Sequence, residues 1–281
     1  MIRTFVFAAA FAATAGAQAA PLPCQPQSQI NAAAIRERVI LVGELHGTKE
    51  MPAFVAGLAC SLLQQGRQVV LALELPSDLQ PDIERYMASD GSEPARQPLY
   101  ASSFGKLQDG RGSAAYMGLI EQVRVLRQAG APVSLAATDV GRGPTAAQES
   151  GTRDNVMANN IAALARSNAA ATVVSLSGNS HAPKQKGGHA GANYEPMGYL
   201  LTKHMPTYAI SLAHSGGTAW VCMPDCGEHE IDAPARRAGF KVGRYDKEVK
   251  VGAISASPPA RDGTAASRSG DVIASGTPGG T

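Results

Sequence analysis

Residues 39–47 read Val-Ile-Leu-Val-Gly-Glu-Leu-His-Gly, and residues 172–181 read Thr-Val-Val-Ser-Leu-Ser-Gly-Asn-Ser-His. Each stretch begins as an apolar, β-branched run and ends in a Gly-x-x-His step, a pattern typical of buried strands in a parallel sheet. Ligands of such sheets bind outside the carboxyl ends of the strands. We therefore expect His46 and His181, which are far apart in sequence, to face one shared site.

Further apolar runs alternate with helical patterns along the chain. Strands are predicted over residues 69–75, 133–138 and 208–213, and helices over 49–66, 79–87, 116–130, 153–166 and 197–204, with Thr48 and Thr152 as helix caps. This alternation predicts an α/β fold with a mainly parallel sheet covered by helices on both faces. Residues 89–112 have little periodicity and are typical of a lid or binding loop.

The two ends of the chain differ in composition from the middle. Residues 1–19 have a basic start, an apolar Ala-rich stretch and an Ala-x-Ala cleavage pattern, which predicts a signal peptide and export to the periplasm or beyond. Residues 20–254 are expected to form one domain. Residues 255–281 are rich in Gly, Ser, Ala and Pro, which predicts a disordered tail. No other run is apolar and long enough to cross a bilayer.

Charge and cysteine content narrow the function classes. The net charge is +2 with no basic run, so the sequence has no electrostatic footprint for nucleic acid. Four cysteines in an exported chain favour two disulfides, Cys222–Cys226 and Cys24–Cys60. The alternative is a metal site formed by Cys222, Cys226 and His229, but oxidation competes with thiolate ligation outside the cytoplasm.

Polar residues follow the predicted strands at the point where each strand ends. They are Glu44 with His46, Glu74, Asp139, His181 and His214. Burying acids and imidazoles together costs desolvation and repulsion, so the pattern favours chemistry over capping or surface ion pairs. It provides a base and an orienting group for hydrolysis. The same set also binds divalent metals such as Mn, Co or Zn, with His46, His181 and Glu74 as candidate ligands.

Arg153 is unusual because it begins a predicted helix. A cation in the first turn opposes the helix dipole, so this arginine is poorly placed for helix stability. It is well placed to bind a carboxylate, either a catalytic Glu or an anionic group of the substrate. The alternative is a solvated side chain.

Several short motifs occur in a fixed order. They are Gly43-Glu44-Leu45-His46-Gly47-Thr48-Lys49-Glu50, Ala72-Leu73-Glu74, Ala137-Thr138-Asp139, Arg153-Asp154 with Met157-Ala158 and Asn160, and Gly178-Asn179-Ser180-His181 with Lys184. This series resembles the superfamily of erythromycin esterases, ChaN-type haem-binding lipoproteins and Tiki/TraB proteins. The resemblance covers residues 39–214.

The resemblance implies different activities for its different members. Similarity to erythromycin esterases implies His46 as the general base for water, supported by Glu44 and Glu74 and completed by His181. Similarity to Tiki/TraB proteins implies metal-dependent peptide hydrolysis. Similarity to ChaN-type proteins implies haem binding, with His189 and Tyr194 as candidate iron ligands. Supporting or substrate-binding roles are expected for Glu50, Asp139, Arg153, Asn179, Lys184 and His214.

The sequence therefore predicts an exported hydrolase that acts on an ester or amide bond of a small molecule or peptide. No Gly-x-Ser-x-Gly elbow is present, so the sequence lacks the motif that positions a serine nucleophile in α/β-hydrolases. A haem- or iron-binding protein without turnover is the alternative, and a degenerate scaffold that keeps the fold and binds a partner is the third. The oligomeric state is left open.

Overall fold

The computed structural model describes residues 21–141, 152–188, 191–234 and 243–261. The strands are β1 (Val39–Glu44), β2 (Gln68–Pro76), β3 (Val133–Asp139), β4 (Ala171–Gly178), β5 (Thr207–Cys222), β6 (Cys226–Ile231) and β7 (Lys247–Ile254). The helices are α1 (Glu50–Gln64), α2 (Gln80–Met87), α3 (Glu93–Ala101), α4 (Ala114–Gln128), α5 (Arg153–Ser167) and α6 (Met197–Thr202). The predicted signal peptide, residues 1–19, lies outside the described residues.

These strands form one sheet in the order β3-β2-β4-β1-β5-β6, with β7 also paired to β5. Every pairing is parallel except that of β5 with β6. The central strand β1 is buried along its whole length, as its unbroken apolar run predicts. The prediction of a mainly parallel α/β sheet is confirmed.

Both faces of the sheet are covered. Side chains alternate between faces along a strand, so Ile40 and Val42 of β1 point into one apolar cluster and Val39 and Leu41 into the other. Helices α1 to α4 pack in the first cluster, and α5 and α6 pack in the second. The predicted helical layers on both faces are therefore present.

Of the two predicted helix caps, one is present and one is not. The Thr152 hydroxyl accepts the N–H of Asn155 and caps α5, as predicted. The predicted cap at Thr48 is wrong, because its hydroxyl donates to the Leu45 carbonyl and closes the preceding turn. The long stretch 89–112 is also less irregular than expected, since it contains α3 and a short 3-10 turn over 104–106.

The sheet edge beyond β1 was predicted only in part. The strand expected over residues 208–213 continues through His214 to Cys222 and turns back as β6. Strand β7 was not predicted at all. These segments alternate between buried, half-buried and exposed positions and contain glycines, so they lack the continuous apolar run that marked the central strands.

Residues 255–261, which we call the strap, are ordered against the rest of the fold. Ala256, Ser257 and Ala260 are buried, and the strap pairs with residues near Thr48 and Ser113. The expected disorder is therefore wrong for this segment, because its small side chains fit closely and its backbone is hydrogen-bonded. Residues 262–281 lie outside the described residues.

Both predicted disulfides, Cys24–Cys60 and Cys222–Cys226, are present. The alternative metal site with His229 is wrong because both of its thiols are consumed by the second disulfide. Disulfides of this kind belong to an oxidising compartment. Across the described ranges, every helix is too short or too polar to span a bilayer.

The two disulfides close loops of very different length, with sequence separations of 36 and 4 residues. Loop-closure entropy predicts that replacing both Cys24 and Cys60 by Ser lowers the free energy of unfolding by about 4 kcal/mol, against about 2 kcal/mol for the Cys222 and Cys226 pair. Urea denaturation of the two double variants measures both losses. A larger loss in the second variant would contradict this account.

Candidate functional site

Three buried carboxylates lie along the carboxyl edge of the sheet. Glu44 ends β1, Glu74 lies near the end of β2 and Asp139 ends β3, and none is more than 4% exposed. The end of β4 lies between β1 and β2, and its Gly178 N–H donates to Glu74 Oε2 over 2.7 Å. The parallel topology therefore brings the strand-end acids to one place, as their positions in the sequence predict.

His46 is held between two of these acids. Its Nδ1 lies 2.8 Å from Glu44 Oε1, and its Nε2 lies 3.5 Å from Glu74 Oε1. The Tyr116 hydroxyl donates to the same Glu44 oxygen. Glu44 Oε2 is buried and has no hydrogen-bond partner within the described part of the chain. An ionised Glu44 only accepts, so His46 Nδ1 carries a hydrogen.

His181 has its own buried acid. Its Nδ1 lies 2.8 Å from Asp154 Oδ1, and the Tyr194 hydroxyl donates to the other Asp154 oxygen over 2.9 Å. On the far side of the ring, Nε2 lies 3.1 Å from Nη1 of Arg153. A guanidinium has only donors, so this Nε2 accepts and the proton of the ring sits on Nδ1.

Two guanidiniums compensate the buried acids. Arg153 donates from Nε and Nη2 to the two oxygens of Asp139 over 2.8 and 2.7 Å, and from Nη2 to Glu74 Oε1. Arg111 donates to Asp139 Oδ2 over 2.7 Å and to Glu74 Oε1 over 3.3 Å, and is also paired with Asp109. The arginine that opposes its own helix dipole thus binds two carboxylates, and its side chain is 39% exposed.

These neighbours set the protonation of the site. Burial lowers the pKa of His46, but the carboxylates of Glu74 and Glu44 outweigh it and raise the pKa to about 10. Burial raises the pKa of Glu74, but His46 and Arg153 hold it well below its usual value. At neutral pH the structure therefore contains an imidazolium at His46 beside an ionised Glu74.

The arrangement does not fit the expected metal centre of His46, His181 and Glu74. Both Glu74 oxygens already accept N–H donors, and His181 Nε2 faces the Arg153 guanidinium, so a divalent cation would lie against a fixed positive charge. Within the described ranges, no three His, Cys, Asp or Glu side chains are grouped to hold a metal.

Tyr194, one of the two candidate iron ligands, is also poorly placed to bind iron. Burial and then Asp154 raise the pKa of Tyr194, so its phenol stays neutral and donates to that acid. A tyrosine ligand to iron needs the phenolate, which this environment disfavours. His189 lies outside the described residues.

Three of the expected supporting residues are engaged elsewhere in the fold. Glu50 accepts the N–H of Ser255 in the strap, and Lys184 forms an ion pair with Asp246 over 2.6 Å. The side chain of Asn179 is exposed, and His214 Nδ1 accepts the N–H of Gly216 two residues along. The structure therefore brings together Glu44, His46, Glu74, Asp139, Arg153 and His181 but not Glu50, Lys184 or His214. Asn179 lies beside this group, because its backbone N–H donates to the Glu44 carbonyl over 2.8 Å.

Three residues of the cluster were missed as site residues. Asp154 resembled an acid placed in the first turn of α5 for the helix dipole, and Tyr116 resembled part of the apolar face of α4. Arg111 belongs to the long stretch 89–112, where the sequence indicated a binding loop without naming a residue. Two signals were available: the length of that loop, which favoured a functional role, and the Arg153-Asp154 motif, which contains one of the missed residues.

Comparison with known proteins supports the fold. No family model and no curated protein matches the chain. Among solved structures, an erythromycin esterase mutant in its open conformation matches with a TM-score of 0.53 and 13% identity, covering 71% of this chain and 76% of that one. A protein from Bacillus cereus matches with a TM-score of 0.54 and 10% identity, covering 79% and 90%.

A structure of cofacial haem binding to ChaN of Campylobacter jejuni also matches, with 12% identity over 63% of this chain and 82% of that one. Its TM-score is 0.39, too low to bear on haem binding here. At these identities the likenesses concern the fold alone. The chain shares the α/β fold of the erythromycin esterase structure, which is the fold that the resemblance of its ordered motifs implies.

Proposed function

We propose that this chain is a hydrolase that activates water between two carboxylate-oriented imidazoles and cleaves an ester or amide bond. One observation carries the proposal. The Nε2 atoms of His46 and His181 lie 3.5 and 4.0 Å from the same Glu74 oxygen, while each Nδ1 is bonded to a separate buried acid. Two oriented imidazoles that converge on one point are suited to general acid–base catalysis.

The protonation states assign different proton-transfer roles to the two imidazole rings. His181 is oriented by Asp154 and has a lone pair on Nε2, so it serves as the base that takes a proton from water. His46 carries its extra proton at neutral pH, so it serves as the acid. This assignment differs from the superfamily resemblance, which implies His46 as the base.

The reaction balances without any other component. Water attacks the carbonyl carbon as His181 removes its proton, and the bond from that carbon to oxygen or nitrogen breaks as His46 protonates the leaving atom. The products are a carboxylic acid and an alcohol or amine, and proton exchange with solvent restores both rings. Arg153 is 39% exposed, and in the proposed mechanism water or substrate replaces its contact with His181 Nε2.

The proposed setting is the periplasm or the exterior of the cell. Two disulfides support it, and a signal peptide over residues 1–19 is the proposed route. The proposed substrates are small molecules or peptides. The alternative, haem binding without turnover, would be favoured by a Soret band on mixing with haem that is lost in Tyr194→Phe.

Removing either imidazole is expected to abolish turnover. In an ester and peptide screen of the purified chain, His46→Ala and His181→Ala should each lower kcat by about 10²- to 10⁴-fold, because each loses a proton-transfer group. Near-UV circular dichroism checks that the fold persists. His204→Ala, at an exposed position after α6, is the matched control. Full activity in both site variants would refute the proposal.

Chelation is expected to leave the activity unchanged. The guanidiniums of Arg111 and Arg153 already balance Glu74 and Asp139, so the proposed chemistry needs no metal. The measurement is the same screen before and after dialysis against EDTA. A loss of activity that Mn, Co or Zn restores would contradict this reading and favour the metal-dependent alternative.

The pH profile distinguishes the two possible roles of His46. Its pKa of about 10 lies above the ordinary value of 6.5, so the proton is present at neutral pH and is lost as the pH rises through about 10. If His46 is the acid, kcat/KM falls over that range after correction for spontaneous hydrolysis. If His46 is the base, kcat/KM rises there instead, and the assignment of roles is wrong.

A further inference from the structure

The strap contacts the turn that carries His46. The Ser257 N–H donates over 2.8 Å to the carbonyl of Gly47, the residue that follows this histidine. The same carbonyl accepts the N–H of Trp220 over 2.9 Å. One strand residue and one strap residue thus hold the backbone immediately after the imidazole.

The strap also contacts the segment that carries Arg111. The Ala260 N–H donates over 2.9 Å to the carbonyl of Gly112, the residue that follows this arginine. The Ser257 hydroxyl accepts the N–H of Ala115 over 2.9 Å, in the first turn of α4. Ser257 is 1% exposed, so both of its hydrogen bonds are shielded from water.

The two segments touch each other where the strap joins them. A Cβ atom on Gly110 would lie 2.3 Å from the N of Gly47, so the loop and the turn are in direct backbone contact. Helix α4 carries Tyr116, which donates to Glu44. A shift of the strap therefore moves the turn, the loop and the start of α4 relative to one another.

We propose that the strap is a positioning element of the candidate site and that Ser257 is its central positioning residue, joining the His46 turn to the Arg111 segment. The expected effect on catalysis rests on the proposed function. The contacts of the strap with the two segments are independent of that function. A misplacement of about 1 Å at a reacting group costs up to about 10²-fold in rate, so a residue that touches no substrate can still control turnover.

The test compares Ser257→Ala, which removes the hydroxyl acceptor, and Ser257→Pro, which also removes the N–H donor, in the full chain. The matched control is Ser61→Ala. Ser61 is also a buried serine whose hydroxyl accepts a backbone N–H from a distant segment, that of Gln27, but it lies in α1 away from the site. Ser257→Ala and Ser61→Ala each remove a hydroxyl that accepts a backbone N–H, and Ser257→Pro removes the bond to the Gly47 carbonyl as well.

Two measurements separate positioning from stability. The first is the pair of deshielded proton resonances from the Nδ1–H groups of His46 and His181, assigned by their absence in the His→Ala variants. We expect Ser257→Pro to shift or broaden the His46 resonance and leave that of His181 unchanged. The second is kinetics, where we expect kcat to fall about tenfold or more with KM unchanged, and Ser61→Ala to change neither.

Unchanged resonances in both Ser257 variants, or equal changes in Ser61→Ala, would overturn the proposal. If Ser257→Pro does not fold, the His46 resonance in Ser257→Ala decides. If the wild type hydrolyses nothing in the screen and the His46 resonance still responds to Ser257→Pro, the proposed function fails while the positioning role stands.

Discussion

The Glu74 carboxylate is 2% exposed, and its pKa stays well below the ordinary value because His46 and Arg153 face it; Arg111 is paired with it as well. Burying a carboxylate costs several kcal/mol unless partners compensate it, and removing one partner of such a group is strongly destabilising. The protonation states of His46 and His181 depend on this ionised carboxylate and its partners. The ionised Glu74 contributes to the raised pKa of His46, and it shares the Arg153 guanidinium that fixes the tautomer of His181.

Two similar Gly-x-x-His steps therefore carry different chemistry. Both place an imidazole at the end of a parallel strand, and both rings bond a buried acid through Nδ1. Both Nε2 atoms lie within 4.0 Å of Glu74 Oε1, and the difference is that Nε2 of His181 also lies 3.1 Å from the Arg153 guanidinium. Their opposite proton-transfer roles in the proposed mechanism follow from these neighbours and not from the motifs themselves.

The parts of the fold that sequence predicts well are those encoded by local pattern. The apolar run of β1 and the amphipathic spacing of α1 are read from neighbouring residues, and parallel strand ends necessarily share one edge of the sheet. The roles of Arg111 and the strap depend on contacts between segments far apart in the chain. Backbone hydrogen bonds order the strap, so its composition of Ser, Ala and Pro gave no signal for its structure.

The turn after β1 illustrates how strongly these distant segments constrain the site. Gly47 has φ of +74°, and a Cβ atom there would lie 1.9 Å from the carbonyl oxygen of Trp220. The position thus requires glycine for both its backbone conformation and its close contact with β5. Strand β5 on one side and the strap on the other hold the same carbonyl, so His46 is delivered to Glu44 and Glu74 by a turn with little freedom to move. The Gly in the His-Gly step is therefore as much a part of the site as the histidine, because it lets three separate parts of the chain meet behind the imidazole.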